Sequence, residues 1–95
     1  MSVPEALSNQ LLKFIQRVEQ YLDNVVEHGD DQQLFIASYL QGHFAVQAGQ
    51  SQVQNMSKIS ELDCLMNESL NAAFDNKELT PEDQEQVWVL WRSFS

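Results

Sequence analysis

The chain reads as an all-α protein, a four-helix up-and-down bundle with helix two central, and three features of its sequence predict this. Apolar residues recur at helical spacing through most of its 95 residues. No stretch alternates in the manner of a strand, and the three glycines and two prolines stand where helices start, stop or touch. Residues 1–95 form a single helical domain in this reading, because connections of about three to six residues favour antiparallel neighbours.

The first helix starts with Pro4 near its first turn, behind Ser2, and runs to His28, with Gly29 placed to take the left-handed conformation past its end. Leu7, Leu11, Phe14, Ile15, Val18, Tyr21, Leu22 and Val25 project onto one stripe, with Lys13, Arg17, Gln20, Asn24 and Glu27 opposite. Leu12 falls off that stripe, as a rim residue or small contact point.

The second helix, capped by Asp30 or Asp31, runs to about Ala48. Phe35, Ile36, Tyr39, Leu40, Phe44 and Val46 fill one wide sector, and Ala37, Ser38, Gly42, Ala45 and Ala48 the other. A helix apolar all round is buried on more than one side, and the small residues are expected to let a neighbouring backbone come close. Gly49-Gln50-Ser51 reads as a connection.

A third helix from Gln52 to Phe74 carries Met56, Ile59, Leu62, Met66, Leu70 and Ala73 on one face, while Val53 and Cys64 project away from it. The polar stretch Gln47 to Ser60 has the least helical pattern and is expected to be partly loop. After a break at Asp75–Glu78, Thr80-Pro81-Glu82-Asp83 opens a fourth helix: a Thr cap, Pro at the first position and an acid three residues after the cap.

Fourteen acidic residues against five basic ones give a net charge of −9, which repels phosphate backbones and anionic lipid, so nucleic acid is not an expected partner. The charge serves solubility or offers an acidic face to a basic protein. Met1-Ser2-Val3-Pro4 lacks a signal-peptide pattern, and the longest apolar run, Val87 to Trp91, is five residues against the ~20 that span a bilayer. A cytoplasmic protein that does not enter membranes is expected, and the lone Cys64 fits a reducing compartment.

Candidate chemistry is sparse. His43 follows Tyr39 by one helical turn, which places ring and hydroxyl on one face, either as an acid–base pair or as a histidine that ties helices together. His28, at a helix end, is explained by the helix dipole. Two histidines fifteen residues apart have no metal-ligand spacing, and Asp75 to Leu79 lacks the glycine and terminal glutamate of a calcium loop. Beside Asp63, Cys64 has no activating neighbour in sequence. No metal, cofactor or catalytic residue is assigned. In the last helix Val87, Leu90, Trp91 and Phe94 face the core, whereas Trp88 flanks them and Val89 points nearly opposite. Those two are either covered by the bundle or form a patch for self-association or a protein partner.

Asp31 to His43, with Leu34-Phe35, Tyr39-Leu40 and Gly42-His43, and then Ser69-Leu70, Glu78-Leu79-Thr80-Pro81, Asp83-Gln84, Val87 and Trp91, resemble the small YfcL-like proteins of gammaproteobacteria. The resemblance covers helices two to four and weakens between Val46 and Leu65. It implies a small bacterial cytoplasmic protein in which Tyr39, Gly42 and His43 belong to one packed feature, and it brings no substrate or cofactor. The expected function is a non-catalytic protein–protein interaction module. The competing expectation is a small-molecule-binding or catalytic protein with a pocket at Tyr39 and His43.

Overall fold

The computed structural model of the chain describes residues 5–94, and side chains from residue 10 onward. The expected start at Ser2 and Pro4, and the side chain of Leu7, lie outside them. Four helices follow in order: α1, Glu5–His28; α2, Asp31–Val53; α3, Ile59–Asp75; and α4, Pro81–Arg92. No strand occurs among the described residues. Successive helices run antiparallel, and α2 packs against each of the other three, so the helix expected at the centre is there.

The core is one cluster. Leu11, Phe14, Ile15, Val18 and Leu22 of α1 meet Ile36, Leu40 and Phe44 of α2, Leu62, Met66 and Leu70 of α3, and Val87 and Trp91 of α4. Trp91 is the keystone of its lower half: its ring lies edge-on to Phe14 at 6.1 Å and touches Phe44 at 5.9 Å and Phe94 at 6.1 Å. Its indole Nε1–H donates to Asp63 Oδ1 at 2.8 Å, tying α4 to α3. Tyr21, expected on the buried stripe, is instead half exposed at the rim and packs edge-on against Phe94.

The helix ends explain the hairpins. The backbone N–H of Gly29 donates to the Val25 carbonyl at 2.7 Å, and Asp30 at once caps α2, its side chain accepting from Gln33 N–H while the Gln33 side chain accepts from Asp30 N–H. No glycine takes a positive φ, so the left-handed conformation expected of Gly29 is not used. Glycine is required there for closeness, because a Cβ would stand 2.7 Å from the Val25 carbonyl oxygen. Thr80 caps α4 as expected, with Oγ1 accepting from Asp83 N–H.

The α2–α3 boundary departs from expectation. α2 continues through Gly49 to Val53, five residues beyond Ala48, and α3 begins at Ile59 rather than Gln52. The extension is held from within: Ala48 and Ser51 are buried, and the Ser51 hydroxyl donates to the Ala48 carbonyl. The chain turns only at Asn55, which takes a left-handed φ of 56°, beyond the connection expected at Gly49-Gln50-Ser51. Glu61 then reaches back to accept from Lys58 N–H and start α3.

The two faces of α2 also sort differently from the sequence reading. Ile36, Ala37, Leu40, Phe44, Ala48 and Ser51 are buried, whereas Phe35 and Val46, expected in the core sector, are 45% and 65% exposed. Ala37 and Ala48, from the small-residue sector, are covered. Gly42 and Gly49 are not, since a Cβ at either would meet nothing within 4 Å. Glycine inside a helix costs about 1 kcal/mol relative to alanine. Gly42→Ala and Gly49→Ala should therefore each raise the stability of the isolated chain by up to ~1 kcal/mol, measured by urea unfolding at high dilution.

Candidate functional site

Tyr39 and His43 meet Trp88, one of the two residues singled out on α4, at the surface between α2, α3 and α4. On α2, Tyr39 and His43 sit one turn apart with ring centroids 4.8 Å from each other. Tyr39 stacks on Phe74 of α3, and Phe74 in turn packs edge-on against Trp88 of α4. The Arg92 guanidinium lies 5.3 Å over the Trp88 ring. Histidine, tyrosine, phenylalanine and tryptophan thus form a continuous aromatic strip across three helices.

Polar contacts pin this strip. The Tyr39 hydroxyl donates to Glu78 Oε1 at 2.8 Å, and His43 Nδ1 is hydrogen-bonded to Ser69 Oγ at 2.7 Å. Burial, then the hydrogen bond to Glu78 and the charge of that carboxylate, push the Tyr39 phenol above its ordinary range. Tyr39 is a neutral donor at physiological pH and not a proton acceptor. His43 and Ser69 satisfy each other across the α2–α3 seam, which makes the pair a clasp between helices. A mid-helix serine also has no free backbone N–H beside it to stabilise an oxyanion.

Gly42, His43, Val46 and Ser69 border an open depression of about 420 Å³. Its volume is that of a small-ligand site, yet it lies open on the helix surface, whereas such sites enclose most of their ligand. A larger open trough, about 720 Å³, runs between α1 and α2 with Glu19 and Asp23 on its α1 wall, and Gln41 Nε2 donates to Asp23 Oδ1 there. Among the described residues no group of three or more His, Cys, Asp or Glu is gathered around a common point.

Trp88 and Val89 do not form one patch. Trp88 is half-buried against Phe74, whereas Val89, 58% exposed, faces the other way into a groove of about 400 Å³ with Tyr21 and Val25 of α1.

One further candidate surface lies on α2. The outer face of α2, diametrically opposite Phe44, exposes Phe35, Val46 and Val53, and from Gln32 to Ser57 the sequence holds no Asp, Glu, Lys or Arg. A solvent-facing helix without charge is unusual in a chain that is 20% charged. The signal was available: the charge-free run is visible in the letters, and only the assumption that both sides of α2 were buried hid its meaning.

Fold and site together define a small acidic four-helix protein whose central helix turns a neutral, partly apolar face to solvent. The chain belongs to the YfcL family: the family model described as "YfcL protein" matches residues 12–95. It is 26% identical over 83 residues to "Uncharacterized protein YfcL" of Escherichia coli (strain K12), spanning 87% of this chain and 90% of that relative. The match takes in most of α1 and the segment between Val46 and Leu65, where the resemblance of individual residues was faint. No solved structure matches the chain. No helix among the described residues is long and apolar enough to cross a membrane.

Proposed function

We propose that this YfcL family member is a non-catalytic interaction module that engages a protein through the outer face of α2. The observation that carries the reading is the exposed, charge-free helix face. Large apolar side chains at Phe35, Val46 and Val53 are left in water on a helix whose other side already supplies the core. Exposing them costs solvation that a partner would recover, at about 25 cal/mol per Å² of apolar surface covered. A membrane surface is disfavoured because the face lacks the basic residues that amphipathic membrane helices carry. The cytoplasm is the proposed setting, supported by the single, exposed Cys64.

The reading is tested by photo-crosslinking. With benzoylphenylalanine at position 46, irradiation of intact cells should give discrete adducts, whether with another protein or with a second copy. The same group at position 71, exposed on α3 away from that face, should give none. Equal labelling from both positions, or none from either, contradicts the reading.

A further inference from the structure

The outer face of α2 is organised in a way that identifies its occupant. Phe35, Tyr39, Gly42, Val46, Gly49 and Val53 follow one another at spacings of four, three, four, three and four residues. That is the heptad seam of a coiled coil. Projected at about 100° per residue, all six lie within roughly 40° of a common line opposite Phe44, with Tyr39 at the α3-side margin, where its ring also stacks on Phe74. The seam carries two glycines that the fold of the single chain does not use, since a Cβ on either would meet only open space. Each costs the helix up to about 1 kcal/mol relative to alanine and leaves room for a close approach from outside.

We propose that a second copy of this chain docks there, α2 against α2 in antiparallel orientation about a two-fold axis beside Phe44. This deepens the interaction reading above and rests on it. Under that symmetry Phe35 faces Val53 of the other copy, Tyr39 faces Gly49 and Gly42 faces Val46. Every layer then joins a larger residue to a smaller one, and each glycine receives a side chain. An isologous contact needs this self-complementarity, because whatever one copy presents the other must accept. A parallel pairing instead sets glycine against glycine and leaves two layers hollow.

Charge agrees with the choice. Two chains of net charge −9 repel, but the α2 face brings no carboxylate of its own into the contact; Glu78 reaches the seam only at the Tyr39 hydroxyl, and Glu19 and Asp23 stand on the flank along α1. Added salt therefore tightens this dimer, whereas it loosens a complex with a basic partner. The contact is about 28 Å long. Its area, on the order of 1,000 Å², falls at the lower end for specific association, the size class of weak, concentration-dependent contacts.

Sedimentation equilibrium from about 1 to 500 μM, at low and high salt, tests the proposal. The wild-type chain should shift from monomer to dimer, more readily at high salt. Val46→Glu should weaken the dimer by about 100-fold or more, because each copy then buries an unpaired carboxylate. Its far-ultraviolet spectrum and unfolding curve should stay near wild type, position 46 being exposed in the monomer. Asn71→Glu, with the same added charge elsewhere, should dimerise normally.

Orientation is read from cysteines in a Cys64→Ser background. Mixing Phe35→Cys with Val53→Cys chains should yield the mixed disulfide. Position 35 and its own copy are about 27 Å apart along the antiparallel helices, far beyond the roughly 7 Å Cα separation a disulfide spans. Disulfides only between identical positions, or a monomer at every concentration, overturn the proposal. If the chain stays monomeric while position 46 still crosslinks to a different protein, the second copy is excluded and the interaction reading survives. A monomer without crosslinks removes both.

Discussion

Trp91→Ala should lower stability by about 4 kcal/mol, the largest effect of any single truncation in this fold. The ring is 4% exposed and touches the rings of Phe14, Phe44 and Phe94, so its loss opens a cavity bordered by α1, α2 and the C-terminal end of α4. Those neighbours are themselves large and anchored on separate helices, which prevents collapse into the space. For a chain of this length the melting temperature should fall by about 20 °C. Asp63→Ala removes the acceptor for Trp91 Nε1 but leaves the ring in place and the indole N–H near solvent, so its cost should be about 1 kcal/mol. Urea unfolding of the two variants separates the contributions. A loss below 1 kcal/mol for Trp91→Ala would mean that the α4 end is not packed as described.

The second large effect is expected at Gly29, where alanine should destabilise by about 2 kcal/mol. The added Cβ would lie 2.7 Å from the Val25 carbonyl oxygen, 3.0 Å from Gln33 Cβ and 3.1 Å from Val25 Cγ1. The first of these is backbone and is already held by the Gly29 N–H, so relief requires opening the α1–α2 hairpin. Gly29→Asn distinguishes this cause from the one the sequence suggested. If a left-handed φ were the requirement, asparagine would be tolerated far better than alanine. Because φ is not positive there, asparagine should be at least as damaging as alanine. The opposite sign is expected at Gly42 and Gly49, where alanine stabilises the monomer, so three glycines in one chain separate close packing from open space.

Where the sequence was legible, local chemistry decided the outcome. Thr80 and Pro81 start α4 because their side chains act on the adjoining backbone, and His28 ends α1 because Gly29 and Asp30 cannot continue it without losing the α2 cap. Gly49 misled because a glycine inside a helix and one beyond its end look alike in sequence. What carries α2 past it is the burial of Ala48 and Ser51, a tertiary effect. Phe35 and Val46 misled for a related reason: with large residues on one side and small on the other, hydrophobicity alone does not say which side faces the core. The core took Ile36, Leu40 and Phe44 from the large side together with Ala37 and Ala48 from the small one, so the buried face straddles the two sectors and leaves Phe35 and Val46 outside.

The candidate site was half readable. Tyr39 and His43 are four residues apart, so helical spacing alone brings them together. Ser69, Phe74 and Glu78, the groups that fix their chemistry, lie 26 to 39 residues away along the chain, and their arrival depends on how α3 packs on α2. Trp88 joins the same strip through Phe74, which nothing in the α4 segment foretells. Val89 pointing away from Val87 and Trp91 follows from the helical period and is observed.

The central claim, that the outer face of α2 is the working surface, is tested most directly by methyl NMR with a soluble paramagnetic agent. At low protein concentration the methyls of Val46, Val53 and Val89 should all be broadened, since all three are exposed in the monomer. As concentration rises, Val46 and Val53 should become protected while Val89, in the separate α1–α4 groove, remains accessible. Protection of Val89 instead, or full accessibility of Val46 and Val53 at every concentration and in the presence of cell extract, would contradict the account.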